Sequence, residues 1–583
     1  MITHSTYNTA SLWRATITML VVLCLQAGCT KTTTQVPNIL INNLGYLPHE
    51  AKIGFVTDPF ATTFSVINVE TGEIELQSPI ISEPTYAAQA GDIVKAIDFS
   101  SLNKAGSYKI QLDTDEGASY EFQVGQGIYN NALSKVLKSF YLQRCGVEVL
   151  SEYGSHKACH LNLAHYYHNE VPHEDVSGGW HDAGDYNRFA VTHSYSIALL
   201  IHQYLEAPQK YVDGHFSIPE SSNGIPDILD EIQVGLRWLL KIQNANGGVH
   251  HKVSIKEWNG EHLPDQDSTR QYIFHISSTA TAGAAGVFAL GSGVFSDIDP
   301  TFSSKLNRAA LKAWDFLDQN PVTVPLGGFT NPPDVFGGEY GDQIDLDERL
   351  FAAIELFKMT GDTEFLDFFQ INYNKFWNRS FYVPSWQDLR NFAFYSYLKL
   401  DQTTPGLDFD VYNDLLSLSK DYAESILNRT NANPYKYSLK NNEYYWGSNS
   451  IALGYAFDLI QAFKIHGSRQ YRDAAKDHLH YMFGRNPIGI SFVTGLGSNP
   501  VKDPYHQFSA LTLHPDPIPG MLVGGANYST HLNNKPISEF QAKNYEDRFR
   551  NYMVNEPAIN YTATLSYVLG YFSHPPATKE HTL

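Results

Sequence analysis

From about Tyr129 almost to the end of the chain, apolar residues recur at the spacing of an amphipathic helix, and this feature decides the fold class. Leu133, Val136, Leu137, Phe140 and Tyr141 lie along the first such stripe. Further stripes follow over 228–242, 278–290, 306–317, 348–359, 412–426, 451–465 and 474–483, and another helix begins near Ala558. The stripe carrying Leu229, Ile232, Leu236 and Leu239 opens at Pro226 or Asp227, and Asn246-Gly247-Gly248 closes it. Long loops rich in Gly, Pro, Trp and Asp separate the stripes, notably 178–188 and 327–341. Loops of that kind on a helical scaffold are where sites are usually built. A closed ring of helical hairpins with the loops at one end satisfies the pattern, and periodicity fits an open helical solenoid equally well.

Before Tyr129 the period is different. Short β segments over 51–56, 63–69, 93–97, 108–112 and 120–124 alternate in polarity and are separated by turn residues, with Thr71-Gly72 marking one turn. That is the pattern of a small antiparallel sandwich with a structural role. Ahead of it, Arg14 precedes an apolar run over 15–25 that is too short to span a bilayer as a mature helix, followed by Ala27-Gly28-Cys29 and a threonine-rich stretch. The expected division is a signal peptide over 1–28, a tether over 29–36, the sandwich over 37–126, the helical domain over 127–575 and a tail over 576–583.

Two clusters carry candidate chemistry. In 177–187, Asp182 and Asp185 are flanked by glycines that permit tight turns, so both carboxylates can face one cleft and share a water molecule; capping is the alternative role. In 547–565, Pro557 should hold Glu556 extended just ahead of a helix, which fixes the direction of its carboxylate. A formal net charge of −20 argues against nucleic acid, whose binding needs clustered Lys and Arg. With 36 Tyr and 33 Phe the chain is rich in the flat rings on which a neutral sugar stacks.

Together the two clusters resemble glycoside hydrolase family 9, the cellulase family. Asn42-Asn43-Leu44-Gly45-Tyr46-Leu47-Pro48, Gln143-Arg144-Cys145-Gly146, Asp347-Glu348-Arg349-Leu350, Trp446-Gly447-Ser448-Asn449 and Gly484-Arg485-Asn486-Pro487 fit the same family in order. The resemblance implies a mainly α fold, an (α/α)6 toroid catalytic domain preceded by a small all-β immunoglobulin-like sandwich. It implies an inverting glycoside hydrolase of the endo-β-1,4-glucanase or cellulase type, with Asp185 as catalytic base, Asp182 holding the nucleophilic water and Glu556 as general acid. Inversion needs room for water, so the carboxyl groups of base and acid are expected roughly 6.5–9.5 Å apart. Substrate contacts are expected from Trp446, Tyr552 and the segment Tyr505-His506-Gln507. That segment departs from the family, which has His-His-Arg there, and replacing Arg by Gln removes a bidentate positive fork. The departure puts polymeric cellulose in question and leaves open an exo-acting β-glucosidase or glucosaminidase of the same fold. A lipid-anchored carbohydrate-binding protein without turnover is the rival of a different class, and retention of all three carboxylates weighs against it.

Cys145 and Cys159 fit a disulfide in an oxidising compartment. With His160 and His181 they also make a closed tetrahedral zinc set, and the resemblance implies structural zinc at these four positions. Asp342, Asp345, Asp347 and Glu348 read first as a solvated helix start, with calcium as the alternative. Family members often bind calcium, and its ligands are left unassigned. The Ala-Gly-Cys ending resembles a bacterial lipobox, which implies lipidation of Cys29, a cell-envelope location at the outer membrane, and membrane attachment through the lipid alone; plain secretion is the alternative. The expected partner is an oligo- or polysaccharide, and the expected state is a monomer.

Overall fold

The computed structural model describes residues 37–574 apart from 115–116, 163, 174, 377 and 531–534. The signal segment, the tether with Cys29 and the tail therefore lie outside the described residues.

Nine strands come first: β1 (Ile39–Leu40), β2 (Gly45–Tyr46), β3 (Ile53–Val56), β4 (Thr63–Asn68), β5 (Ile74–Pro79), β6 (Thr85–Ala87), β7 (Asp92–Asp98), β8 (Gly106–Leu112) and β9 (Phe122–Val124). They form two sheets, β1-β3-β7-β6 and β2-β9-β8-β4-β5. Period-2 alternation explains the packing: Phe64 and Val66 of β4 and Tyr108, Ile110 and Leu112 of β8 face inward. They join Tyr46, Phe99 and Phe122 in a core of their own. Gly72, at φ +72°, makes the turn between β4 and β5. The sandwich is pinned to the helical body by an Asn42 Nδ2 to His480 Nδ1 hydrogen bond of 2.9 Å and by Glu50, which pairs with Arg472 at 2.9 Å and with Lys476.

Twelve helices of nine residues or more follow among the described residues: α1 (Ile128–Leu142), α2 (Ala190–Glu206), α3 (Asp227–Lys241), α4 (Ser278–Val294), α5 (Pro300–Gln319), α6 (Leu346–Thr360), α7 (Thr363–Asn372), α8 (Arg390–Leu398), α9 (Phe409–Ala432), α10 (Ser448–His466), α11 (Arg469–Met482) and α12 (Ile559–Phe572). They alternate in character. The odd-numbered helices are mostly one-sided, as in α5, where Phe302, Leu306, Ala309, Ala310, Ala313, Phe316 and Leu317 form the buried stripe. The even-numbered ones are buried nearly all round, as an inner ring of helices must be. Small residues let them approach: a Cβ on Gly286 of α4 would lie 2.4 Å from the Phe351 ring of α6.

Packing runs from α2 to α4, α6 and α8, and from α10 through α12 back to α2. The remaining step, α8 to α10, is made by Asn391 Nδ2 donating to Asp458 Oδ1 at 2.7 Å and by Phe392 against Phe457. The contact of α12 with α2 closes the ring and rules out an open solenoid. Six short strands ride on the loops: β10 (His165–Tyr166), β11 (Arg188–Phe189), β12 (Val249–His250), β13 (Lys252–Ser254), β14 (Tyr272–Ile273) and β15 (Ile276–Ser277). Their orders are β10-β14-β13-β11 and β12-β15. The loops entering α2, α6, α8, α10 and α12 come together at one end of the ring, and that end carries the cleft.

Candidate active site

The loop ahead of α2 is shaped by close backbone approaches. The Asp182 N–H donates to the Asn187 carbonyl at 2.9 Å, and the Asp182 carbonyl accepts from the Ile559 N–H at 2.8 Å, tying the loop to the start of α12. Gly184 allows no side chain, because a Cβ would lie 2.0 Å from the Tyr505 carbonyl oxygen. Its N–H donates to Glu556 Oε1 at 3.2 Å, so one glycine links the two carboxylate clusters. Glu556 has φ −82° and ψ 126°, the extended conformation expected of a residue before proline.

Each carboxylate is held differently. Asp185 accepts from the Asn187 N–H at 3.0 Å with Oδ1 and from Asn187 Nδ2 at 2.7 Å with Oδ2, and Asn187 Oδ1 in turn accepts from the Ile255 N–H at 3.0 Å. Burial raises the Asp185 pKa, while the Asn187 hydrogen bonds and the Lys252 charge oppose the rise. Asp182 accepts from the Thr192 hydroxyl and, at 2.9 Å, from the Tyr340 hydroxyl; burial still pushes it up to about 7, and the Asp185 charge adds to the rise. Glu556 is pushed well above the ordinary carboxylate range, first by burial and then by the Asp185 charge, with only the Gly184 N–H opposing these.

All three carboxylates line one cleft of about 920 Å³ walled by aromatic rings. Tyr505 packs between Phe549 and Tyr552 at ring separations of 5.0 and 5.6 Å, and Tyr552 meets Trp446 at 5.5 Å. Trp258 and Trp386 complete the stacking surfaces. On the rim, Arg550 stands 3.9 Å from Glu261.

Behind the aspartate loop lies a buried cluster in which one potential ligand atom from each of Cys145, Cys159, His160 and His181 falls within 4.8 Å of the others. The two cysteines are free, with Sγ atoms 4.0 Å apart, far beyond the roughly 2.05 Å of a disulfide. Two Zn–S bonds of about 2.3 Å at the tetrahedral angle would set the sulfurs roughly 3.8 Å apart. Cys159 Sγ and His181 Nε2 are 3.5 Å apart, against roughly 3.6 Å for S and N on such an ion. His160 turns Nε2 toward Asp267 at 3.5 Å and keeps a buried, unpartnered Nδ1. A carboxylate behind a ligating imidazole is the usual orienting partner. The donor set and its spacing therefore fit a metal ion.

A profile of glycosyl hydrolase family 9 matches residues 129–569, and a cellulase N-terminal ig-like domain matches 34–117. The chain belongs to glycosyl hydrolase family 9. Endoglucanase D of Acetivibrio thermocellus is 31% identical over 553 residues, covering 93% of this chain and 81% of that protein. A cellodextrinase of Butyrivibrio fibrisolvens is 30% identical and covers 91% of this chain and 98% of its own. Among solved structures, a zinc-binding triple mutant of a family 9 endoglucanase is 30% identical with a TM-score of 0.83, covering 91% of this chain and all (100%) of that one.

In this family 9 enzyme Trp446, Tyr505 and Tyr552 line the cleft, but His506 and Gln507 do not. His506, expected at the sugar, is 1% exposed and bonded through Nε2 to Gln143 Oε1 at 2.9 Å and through Nδ1 to Ser509 Oγ at 2.8 Å. Gln507 is 3% exposed; its N–H donates to the Gly184 carbonyl and its Oε1 accepts from the His262 N–H at 3.2 Å. Both brace loops, because the chain turns inward after Tyr505 into the short helix Gln507–Leu511.

The acidic run is also not a solvated helix start. Asp342, Asp345, Asp347 and Glu348 are 7%, 7%, 2% and 1% exposed. Asp345 pairs with Arg349 at 2.9 Å, whereas Asp342 Oδ2 and both Glu348 carboxylate oxygens are buried without a partner. Burial and mutual repulsion, with Asp388 close by, raise Asp347 and Glu348 far above the carboxylate range and Asp342 to about 6. Carboxylates buried without partners either hold their protons or share a cation.

Three contributors went unread in the sequence. Tyr340 and Asn187 orient the aspartates. Lys252 Nζ donates to Asn331 Oδ1 at 2.6 Å and to the Gly338 carbonyl at 2.7 Å, fixing the cleft wall from beneath. Asn187 had a local signal, the Asp-x-Asn spacing after Asp185, and Tyr340 lies in the long loop 327–341 singled out above; Lys252 reaches the site from β13 and had none.

Proposed function

We propose that this enzyme cleaves β-1,4-linked glucan with inversion, with soluble cello-oligosaccharides as its preferred substrates. Asp185 is the general base, Asp182 helps to hold the attacking water, and Glu556 is the general acid. The observation that carries the reading is the contrast between two carboxyls in one cleft. Asp185 receives two hydrogen bonds from Asn187 and the field of Lys252, which favour the ionised form. Glu556 receives one backbone N–H and sits buried beside the Asp185 charge, which favours the protonated form. Groups whose surroundings separate their ionisation are suited to opposite roles in acid–base catalysis. In the reaction Asp185 takes a proton from water as the oxygen attacks the anomeric carbon, and Glu556 gives its proton to the departing glycosidic oxygen. The aromatic walls hold the sugar rings face-on. The preference for short chains rests on the missing His and Arg of the substrate segment and on the resemblance to a cellodextrinase.

Digestion of labelled cellohexaose, followed by product length and anomer, tests this. The expected result is a set of internal cleavage products whose new reducing ends appear first as the α anomer. A β anomer would overturn inversion, and release of glucose alone would replace the endo reading by the exo one.

The metal in the Cys2His2 set is proposed to be zinc, a closed structural site with no position for water. A second, calcium, is proposed for the buried carboxylates Asp342, Asp347 and Glu348, beside the Asp388–Arg390 ion pair. At a hundredfold excess over its Kd, calcium should stabilise the fold by about 2.7 kcal/mol. The check is the unfolding midpoint after chelation and readdition at neutral pH, with recovery in calcium and none in Glu348→Gln; equal midpoints with and without calcium would remove the assignment. Lipidation of Cys29 and an outer-membrane location are proposed from the signal-like segment alone. No helix among the described residues is long and apolar enough to cross a membrane.

A further inference from the structure

Away from the cleft and from both metal sets above, four histidines meet on one patch beside the loop strands. We propose that His168, His250 and His275, with His173 at the edge, form a further site for a divalent transition metal such as zinc, nickel or copper.

The anchor is His250, at the end of β12. It is 7% exposed, and its Nδ1 lies 2.6 Å from the Phe274 carbonyl oxygen. A carbonyl oxygen only accepts, so Nδ1 carries the proton and Nε2 is left as a bare lone pair. That Nε2 is buried with no hydrogen-bond partner. A ligating imidazole is ordinarily set up in this way, one nitrogen tied to a backbone carbonyl and the other free for the ion. Burial and the neighbouring histidines hold the His250 pKa down to about 4, so the lone pair is available at neutral pH.

The strand pairing brings in the others. His250 is in register with Ile276 of β15, which places His275 on the adjoining strand, and the His251 N–H donates to the His275 carbonyl at 2.9 Å. β10 pairs with β14, which carries residues 165–173 to the same place. The Tyr166 ring is the hub, with the rings of His168, His173 and His250 at 5.6, 5.5 and 5.5 Å. His168 and His275 have their ring centres 6.1 Å apart. Two imidazoles bound to one tetrahedral ion through Zn–N bonds of about 2.0 Å have centres roughly 5 Å apart. His168 and His275 are both exposed, and binding would turn their side chains toward each other and toward His250 Nε2. All-imidazole donors select zinc, nickel or copper over calcium or magnesium. A site open to solvent and lacking thiolates would bind more weakly than the Cys2His2 set and exchange its ion. Its occupancy would staple residues 165–173, which follow the His160 ligand, to the β12-β15 strands.

Nickel is a suitable probe, because it can be titrated into the tag-free, zinc-loaded protein at pH 7.5 and followed by calorimetry, with retained zinc measured by mass spectrometry. One saturable Ni²⁺ per chain is expected without loss of the buried zinc. The affinity should fall at least tenfold in His168→Ala/His275→Ala, whose positions are exposed, and also in His250→Gln. Absence of saturable binding would overturn the site, as would unchanged affinity in both variants or nickel uptake matched by zinc release. Hydrolysis should be the same in the wild type and the double variant.

Discussion

Glu556→Gln is expected to lower kcat on unactivated cello-oligosaccharides by roughly 10²–10⁴-fold, the usual range for loss of a positioned acid or base. The substitution keeps the shape and the Gly184 N–H contact but cannot supply a proton. Sugar binding should persist, since the aromatic walls are untouched. On an aryl glycoside whose leaving group departs without protonation, the same variant should lose far less, and that difference separates an acid from a merely structural residue. The pH profile gives a second reading. Glu556 works only while protonated, and burial with the Asp185 charge raises its pKa, so the wild-type rate should fall as pH rises through that raised value. Asp185 works only when ionised, and burial raises its pKa too, so the rate should also fall as pH drops through it. The variant's residual rate should retain the acidic limb and lose the alkaline one. Unchanged turnover on both substrate types would remove Glu556 from the chemistry.

Legibility in the sequence followed local physics. Amphipathic helices such as α5 and α9 announce themselves by period, because one face meets water. The inner helix α2 does not, since fourteen of its seventeen residues are buried and the run from Ala190 onward carries no polar stripe. Helix α8 is also buried throughout and at nine residues is too short to show a repeat, whereas the longer buried helices α4 and α10 were read. The edge strand β5, without a buried residue, offered no apolar alternation to read. At the site, the residues carried by short motifs, Asp182, Asp185 and Glu556, line one cleft. Side chains carried over from the family's His-His-Arg segment fared worse: His506 and Gln507 follow Tyr505 in sequence, yet the backbone turns them into the loops. Acidic residues in 342–348 resembled a helix start because sequence cannot tell a solvated carboxylate from one sealed beneath a loop.

Removing the ion from the Cys2His2 set should produce the largest loss of stability of any change outside the core. Residues 143–145 and 179–181 run antiparallel: the Cys145 N–H donates to the Gly179 carbonyl at 2.9 Å, the His181 N–H donates to the Gln143 carbonyl at 2.7 Å, and Arg144 bridges Trp180. The ion would clamp this pair to Cys159 and His160 on the next loop. Asp182 follows His181 directly, so the clamp sets where the aspartate loop begins. Without it, two buried thiols and two buried imidazoles lose their common partner, and the loop between α1 and α2 loses the only cross-link its own ligands supply. Structural zinc is worth about 10–16 kcal/mol of apparent binding energy in small zinc-finger peptides. A fraction of that, several kcal/mol, is expected here, because the helical ring persists without it. At roughly 2.1 cal/mol/K of unfolding entropy per residue, a domain of about 450 residues shifts by about 1 °C per kcal/mol, so the Cys145→Ser/Cys159→Ser variant should unfold several degrees below the wild type. Its kcat should fall together with its hydrogen-exchange protection over 177–187, while α9 and α11 keep theirs. Metal analysis of the wild type should return one tightly held zinc per chain at this set. A mass two hydrogens short, tracing to a Cys145–Cys159 disulfide in the mature protein, would refute the metal, as would a double variant that melts where the wild type does.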